Sequence, residues 1–343
     1  MSGRIVTFGE IMLRLKPPGV ERFFQSPMLE ATFGGGEANV ATGLARWGCD
    51  VAYVSVIPAN AIGDACVGEL RRQGIDTSAI VRKGSRLGIY FLEAGAAQRS
   101  SLVIYDRSGA AIAEARRGDI DWEKSFHGAS WFHLTGITPA LSQSAADLSL
   151  EAVTAARRQG LTVSCDLNFR KNLWKYGRSA PEVMGEIVEH VDVLMANEED
   201  CQQVLGISAD VDVEAGALDP ARYRDLAERV RAAHRSVKKI AITLRESRSA
   251  DDNGWSGVLH DGADFHVSRK YEIRDIVDRV GSGDTFCAGL IYGLMNLGGP
   301  SEALEFAVAA SCLKHSIPGD LPLLSLSEVK ALVAGSGSGR VQR

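Results

Sequence analysis

The chain has 343 residues, 45% of them apolar and 24% charged, with a formal net charge of −5. That length holds one large α/β domain with an appendage, or two domains, and the composition excludes wholesale disorder. The acidic balance excludes a nucleic-acid footprint, and no stretch approaches the ~20 apolar residues of a membrane span. The first residues run straight into a strand-like segment with no signal-peptide pattern. Six scattered cysteines form no C-x-x-C pair and seven histidines form no H-E-x-x-H. They read as the reduced thiols of a cytoplasmic protein without a zinc site.

Arg4 to Gly9 predicts a first strand. Residues 10–33 then read as a pair of short strands off the main sheet, with Pro17-Pro18-Gly19 as their turn. Gly34-Gly35-Gly36-Glu37-Ala38-Asn39 opens a helix that Gly48 stops, and three glycines there suit a close-approach loop. Val51 to Ile57 is a strand, and Gly63-Asp64 starts a helix. Gly88 to Glu93 and Ser101 to Arg107 form a second hairpin, expected to join the first pair in a small separate sheet. From Ser130 strands and helices alternate: Trp131 to Leu134, Ala140 to Gln159, Leu161 to Asp166, Pro181 to His190, Val193 to Ala196, Pro220 to Arg235 and Lys239 to Leu244. Short strands at Gly257 and Phe265 precede a glycine turn at Gly281, a buried helix, and helices Ser301 to His315 and Ser327 to Ala334. The repeated β-α units predict an α/β fold, a mostly parallel sheet with helices on both faces. The main domain takes residues 1–9, 34–86 and 116–335. The small sheet takes 10–33 and 87–115, and residues 336–343 form a flexible tail.

Gly281-Ser282-Gly283-Asp284 is the centre of the functional reading. Glycines at a helix N-terminus present N–H groups and the positive end of a dipole to an anion. A carboxylate in that turn would repel a resting phosphate, but it suits a base that takes a hydroxyl proton while a phosphoryl group arrives. Taken alone, an Asp at a helix start is more often a cap. Other polar groups follow predicted strands at the edge where ligands bind in such folds: Asp166-Leu167-Asn168-Phe169-Arg170, Asn197-Glu198-Glu199-Asp200 and Thr243-Leu244-Arg245. Arg170, and Arg107 at the end of the second hairpin, could each grip a carboxylate or phosphate. The chain has neither a P-loop nor a dinucleotide fingerprint.

The early glycine loop, the Asn197 to Asp200 stretch and Gly281-Ser282-Gly283-Asp284 with Thr285-Phe286 together resemble the ribokinase-like (PfkB) carbohydrate kinases over nearly the whole chain. Tyr90, Tyr105-Asp106-Arg107, Arg170 and Lys314 to Asp320 are similar to the subgroup acting on 2-keto-3-deoxygluconate. The resemblance implies Asp284 as base and Gly281, Ser282 and Gly283 as anion hole. Gly34, Gly35, Gly36, Glu37, Ala38, Tyr90, Tyr105, Arg107 and Arg170 would hold a sugar acid. Asn168, Asn197, Thr243, Arg245, Gly281 and Gly283 would hold the nucleotide. It also implies ATP, Mg²⁺ ordered through water by Glu199 or Asp200, a monovalent cation such as K⁺ at Asp278, and a small-sheet lid through which copies of the chain pair as a dimer or larger homo-oligomer. The expected product is the 6-phosphate. The rivals are a kinase for a neutral sugar, such as fructose or ribose, and a non-catalytic sugar-binding sensor.

Overall fold

The computed structural model describes residues 3–208 and 220–336. The chain opens with β1 (Arg4–Phe8), leaves for β2 (Met12–Lys16) and β3 (Glu30–Gly34), and returns through α1 (Gly36–Arg46) to β4 (Val51–Val54). After β5 (Val56–Ile57), α2 (Ala61–Arg72) and β6 (Val81–Arg82), β7 (Gly88–Glu93) and β8 (Leu102–Asp106) return to β2 and β3. There follow α3 (Trp122–Ser125), β9 (Ala129–Thr135), α4 (Gln143–Arg158), β10 (Thr162–Asp166), α5 (Ala180–Val188), β11 (Val193–Ala196) and α6 (Glu198–Leu205). The rest is α7 (Pro220–Ala233), β12 (Lys239–Ser247), β13 (Asn253–His260), β14 (Phe265–Val267), β15 (Tyr271–Ile273), α8 (Ser282–Asn296), α9 (Pro300–Lys314) and α10 (Leu326–Val333).

The main sheet runs β14-β13-β12-β11-β10-β9-β1-β4, with β15 also on β13. From β4 to β12 every pairing is parallel, and β13 begins an antiparallel edge. The parallel strands are apolar on both faces because helices cover both: β4 and β11 are buried at every residue. One apolar core lies between the sheet and α4, α5 and α7, the other between the sheet and α1, α2, α8 and α9. The small residues that follow Asp284 do let another helix come close. A Cβ at Gly289 would stand 2.6 Å from Ala307 Cα, and one at Gly293 2.5 Å from Ala303 Cα, both on α9.

The second sheet runs β3-β2-β7-β8, so the two early segments do join. The tight turn expected at Pro17-Pro18-Gly19 is not what links β2 to β3. The register pairs Lys16 with Glu30 and leaves residues 17–29 as a broad connection, pinned where Phe23 meets Phe91 edge-on at 6.4 Å. Strand β12 also runs beyond Leu244, because its pairing with β13 continues to Ser247 opposite Asn253. Of the predicted tail 336–343, residues 337–343 lie outside the described residues.

Candidate active site

A cavity of about 500 Å³ lies between the carboxyl ends of the central strands, the start of α8 and the inner face of the small sheet. Strand alternation puts the right side chains in its roof: Val103 and Tyr105 of β8, Tyr90 of β7 and Met12 of β2 line it, while Leu102 and Ile104 point the other way. A second cavity of about 460 Å³ adjoins it and shares Asn197, Glu199, Thr243, Arg245 and Trp255.

Asp284 stands in the first turn of α8, and Gly281 caps that helix at φ 82°. Only glycine fits there: the angle is left-handed, and a Cβ would fall onto the carbonyl oxygen of Asp320. A Cβ at Gly283 would meet nothing within 4 Å, so that residue's backbone faces open cavity. Ser282 lines the wall with its N–H donated to Arg279 O at 3.2 Å and its side chain buried. Asn39 Nδ2 donates to Asp284 Oδ2 at 2.7 Å. Burial pushes the Asp284 carboxyl up to about 6, with Asp320 adding to the rise, while the Asn39 bond, Arg170 and Lys314 work the other way.

Four further acids line the same space: Asp166, Asp200, Glu199 and Asp320. Asp166, the last residue of β10, is held well above the usual carboxylate range by burial and by the charges of Asp200 and Asp284. Asp200 is buried, accepting the N–H of Phe169 at 2.8 Å and of Asn197 at 3.0 Å, and Asn197 caps α6 in return at 2.8 Å. Glu199 stands exposed at the rim. Against these acids stand arginines. Arg170 lines the cavity with one Nη1 hydrogen bond to Phe169 O at 2.8 Å. Arg245 lies over the Trp255 ring at 5.3 Å, and burial with the charges of Arg279 and Arg170 lowers its pKa. Asn168 sits between acids and arginines at φ 42°, donating to Asp166 Oδ2 at 3.2 Å.

Most of the expected residues converge here: Gly35, Gly36, Tyr90, Tyr105, Arg107, Asn168, Arg170, Asn197, Thr243, Arg245 and Gly281 to Asp284 all line the cavity. Gly34, Glu37 and Ala38 do not, and that expectation is corrected. Glu37 and Ala38 turn into the core, where Glu37 Oε1 accepts Thr135 N–H and Oγ1, each at 2.8 Å. Gly34 is buried too, leaving room for the Asp320 carboxylate, onto which a Cβ would fall. Arg107 is less free than expected: Nε lies 3.1 Å from Glu10 Oε2 and the guanidinium sits 4.4 Å over the Tyr105 ring, while its buried Nη1 has no hydrogen-bond partner. Asp278 does not present a vacant carboxylate to a monovalent cation. Its Oδ2 accepts Arg14 Nη2 and Gly319 N–H and its Oδ1 accepts Val280 N–H, so most of its acceptor capacity is used within the chain. The sequence reasoning missed Asn39, Arg14, Arg279 and Asp320 as site residues. Asn39 carried a local signal as the end of the early glycine loop, and Asp320 as the end of the Lys314 to Asp320 stretch, whereas Arg14 carried none. No helix of the described residues is long and apolar enough to cross a membrane.

An acid in the first turn of a helix whose N-terminus favours an anion suits phosphoryl transfer to a hydroxyl, and with this fold the class indicated is a sugar kinase. Residues 2–321 match the pfkB family carbohydrate kinase model, and the chain belongs to that family. It is similar to the crystal structure of 2-dehydro-3-deoxygluconokinase from Thermotoga maritima, at 48% identity and a TM-score of 0.91 over 97% of this chain and 99% of that one. It is 32% identical to 2-dehydro-3-deoxygalactonokinase of Haloferax volcanii, over 99% of each chain. It is 26% identical to 2-dehydro-3-deoxygluconokinase of Bacillus subtilis, over 94% of this chain and 93% of that one.

Proposed function

We propose that the protein transfers the γ-phosphoryl group of ATP to the terminal hydroxyl of a 2-keto-3-deoxy sugar acid, 2-keto-3-deoxygluconate first among them, giving the 6-phosphate in the cytoplasm. The observation that carries this reading is Asp284, held by Asn39 at the mouth of α8 in a cavity that also contains Arg107 and Arg170. Asp284 takes the hydroxyl proton as the phosphoryl group arrives in line. The first-turn N–H groups of α8 steady the charge on the transferring oxygens. Arg170 and the remaining guanidinium nitrogens of Arg107 pair with the substrate carboxylate, under Tyr90 and Tyr105. Thr243, Arg245, Asn168 and Asn197 face the nucleotide, which extends toward the second cavity. The small sheet acts as a lid that excludes water. The names of the similar kinases support the sugar-acid assignment.

Asp166, Glu199 and Asp200 offer oxygen donors only, and the mutual repulsion of Asp166 and Asp200 marks a place that a hydrated dication would relieve. Among the described residues no three acids cluster closely enough to ligate a metal directly, so Mg²⁺ would be held there through its own waters. Asp200, already fixed by two backbone N–H groups, would hold it through water with Glu199 beside it, and the bound ion would offset charge on the donor phosphates.

The test is ADP release coupled to 2-keto-3-deoxygluconate or fructose, on the parent, Asp284→Asn and Arg170→Ala. Asp284→Asn is expected to lose about 10³-fold in kcat with sugar binding kept, and Arg170→Ala to lose the acid substrate selectively. Near-normal turnover by Asp284→Asn would remove the base. Faster turnover of fructose than of the acid in the parent would remove the substrate, and saturable sugar binding without turnover in the parent would leave only a sensor.

A further inference from the structure

At the cavity wall two buried carboxylates meet on one guanidinium, and a tyrosine bonds one of them. Arg14, in the middle of β2, points from the inner face of the small sheet into the main domain and is 2% exposed. Its Nη1 donates to Asp320 Oδ1 at 2.5 Å and its Nη2 to Asp278 Oδ2 at 2.5 Å. Tyr90 of β7 donates to the same Asp320 oxygen at 2.5 Å. Asp278 accepts the N–H groups of Val280 and Gly319, each at 3.0 Å, and the Asp320 carbonyl lies against Gly281. The two carboxylates therefore bracket the glycine turn, one from the chain before it and one from the chain after α9. Without a cation between them they would repel each other in a buried place. A guanidinium is suited to span them because its planar fork reaches two acceptors at once.

We propose that Arg14 is a positioning residue for phosphoryl transfer: it fixes Asp278 and Asp320, and through them the glycine turn and Asp284, so that seating the small sheet and shaping the anion site are one event. The inference rests on Asp284 being the base. Arg14 does not line the cavity, so its influence on the reaction is indirect. It has an electrostatic signature as well as a geometric one. Asp284 is faced by Asn39 and Glu37 of α1, Asp166 and Arg170 at the end of β10, Lys314 of α9, Cys287 on its own helix and Asp320. Asp320 opposes ionisation of Asp284, and Arg14 offsets the charge on Asp320. Removing Arg14 leaves that charge to the Tyr90 hydroxyl and Lys314 alone, which shifts the acid limb of kcat to higher pH.

The experiment compares parent, Arg14→Lys, Arg14→Met and Asp284→Asn in steady-state assays from pH 5 to 9, alongside melting curves. Arg14→Lys keeps the charge but cannot span both acids. Its kcat is expected to fall about 10-fold or more with little change in KM for the sugar and an unmoved acid limb. Arg14→Met is expected to lose more, with the limb displaced upward by about half a unit or more. Parent-like kcat in a folded Arg14→Lys overturns the proposal. So does an Arg14→Met enzyme whose loss matches its unfolded fraction while its pH profile stays put. Should Arg14→Met not fold, Arg14→Lys decides by its kcat alone. If Asp284→Asn keeps normal turnover, the base reading fails. If Asp284→Asn is inactive while Arg14→Lys behaves as the parent, only the Arg14 inference fails.

Discussion

In the role proposed for it Asp284 must be ionised to take a proton, yet its surroundings oppose ionisation. Burial lifts its carboxyl to about 6, and the Asn39 amide is the strongest influence holding it down. The acid limb of the pH–rate profile should therefore fall near pH 6 in the parent. Asn39→Ala removes a bond made to the charged form and raises the pKa, so the limb should move upward by about half a unit to one unit. At pH 8, where the base stays ionised in both, most of the rate should survive. A limb that stays near 6 in Asn39→Ala would show that another group titrates. The candidate base was legible in the sequence because the glycines of its turn are its chain neighbours. Asn39, 245 residues away, was visible only as the end of a glycine loop. Arg14 and Asp320, 306 residues apart, gave no usable signal as a pair, because an arginine in a short strand is ordinarily a solvated side chain.

At the scale of elements, Glu37 shows how a residue in a functional-looking motif can serve packing. Its carboxyl pins the start of α1 to the end of β9 through the two Thr135 bonds. A Cβ on Gly9 would collide with that carboxyl, which explains the glycine after β1. Burial raises the Glu37 pKa from 4.5 to about 7. The folded state then holds this proton more tightly than the unfolded chain. The stability linked to it is complete below pH 4.5, declines as pH rises toward 7, and levels off above. Glu37→Gln keeps an acceptor for both Thr135 groups and removes the titration. Its stability relative to the parent should improve by about 2 kcal/mol between pH 5 and pH 8, measured by urea unfolding at the two pH values. An equal difference at both would mean that Glu37 titrates normally. The sequence could not separate Glu37 from Gly35 and Gly36, since the three are adjacent. Only the direction in which α1 leaves the loop turns one inward and the others toward the cavity. Elements were easier to read than contacts, because α8 declares itself by small residues whose spacing matches the approach of α9. The connection after β2 misled for the opposite reason: Pro-Pro-Gly does make a local turn, with Glu21 N–H donated to Pro18 O at 3.1 Å, but pairing with β3 begins only at Glu30, so that turn does not itself join the strands.

For the whole molecule, the small sheet uses one face for the cavity and leaves the other apolar. The register places Phe33, Leu13, Ile89 and Asp106 in one row and Ala31, Leu15, Phe91 and Ile104 in the next, so the face is apolar between Asp106 at one end and Glu93, opposite Leu102, at the other. An antiparallel edge that met only water would carry polar residues on that face. Here Leu102 and Ile104 are 48% and 49% exposed, and Val20, Phe24 and Met28 of the connection between β2 and β3 are exposed as well. The expected pairing of copies through the small sheet would cover this face and would fix the sheet that carries Arg14, Tyr90 and Tyr105 over the cavity. Leu102→Asp combined with Ile104→Asp puts two charges on the outer face and leaves the inward Val103 and Tyr105 untouched. In light scattering at about 10 μM, a concentration well above the Kd of a stable interface, the parent should run at twice the chain mass or more and the double variant at the chain mass. The variant should keep its secondary structure but show a raised KM for the sugar, because an unsupported roof closes less often over its ligand. A parent that is monomeric at this concentration would remove the interface, and a monomeric variant with unchanged KM would separate assembly from the site beneath the sheet.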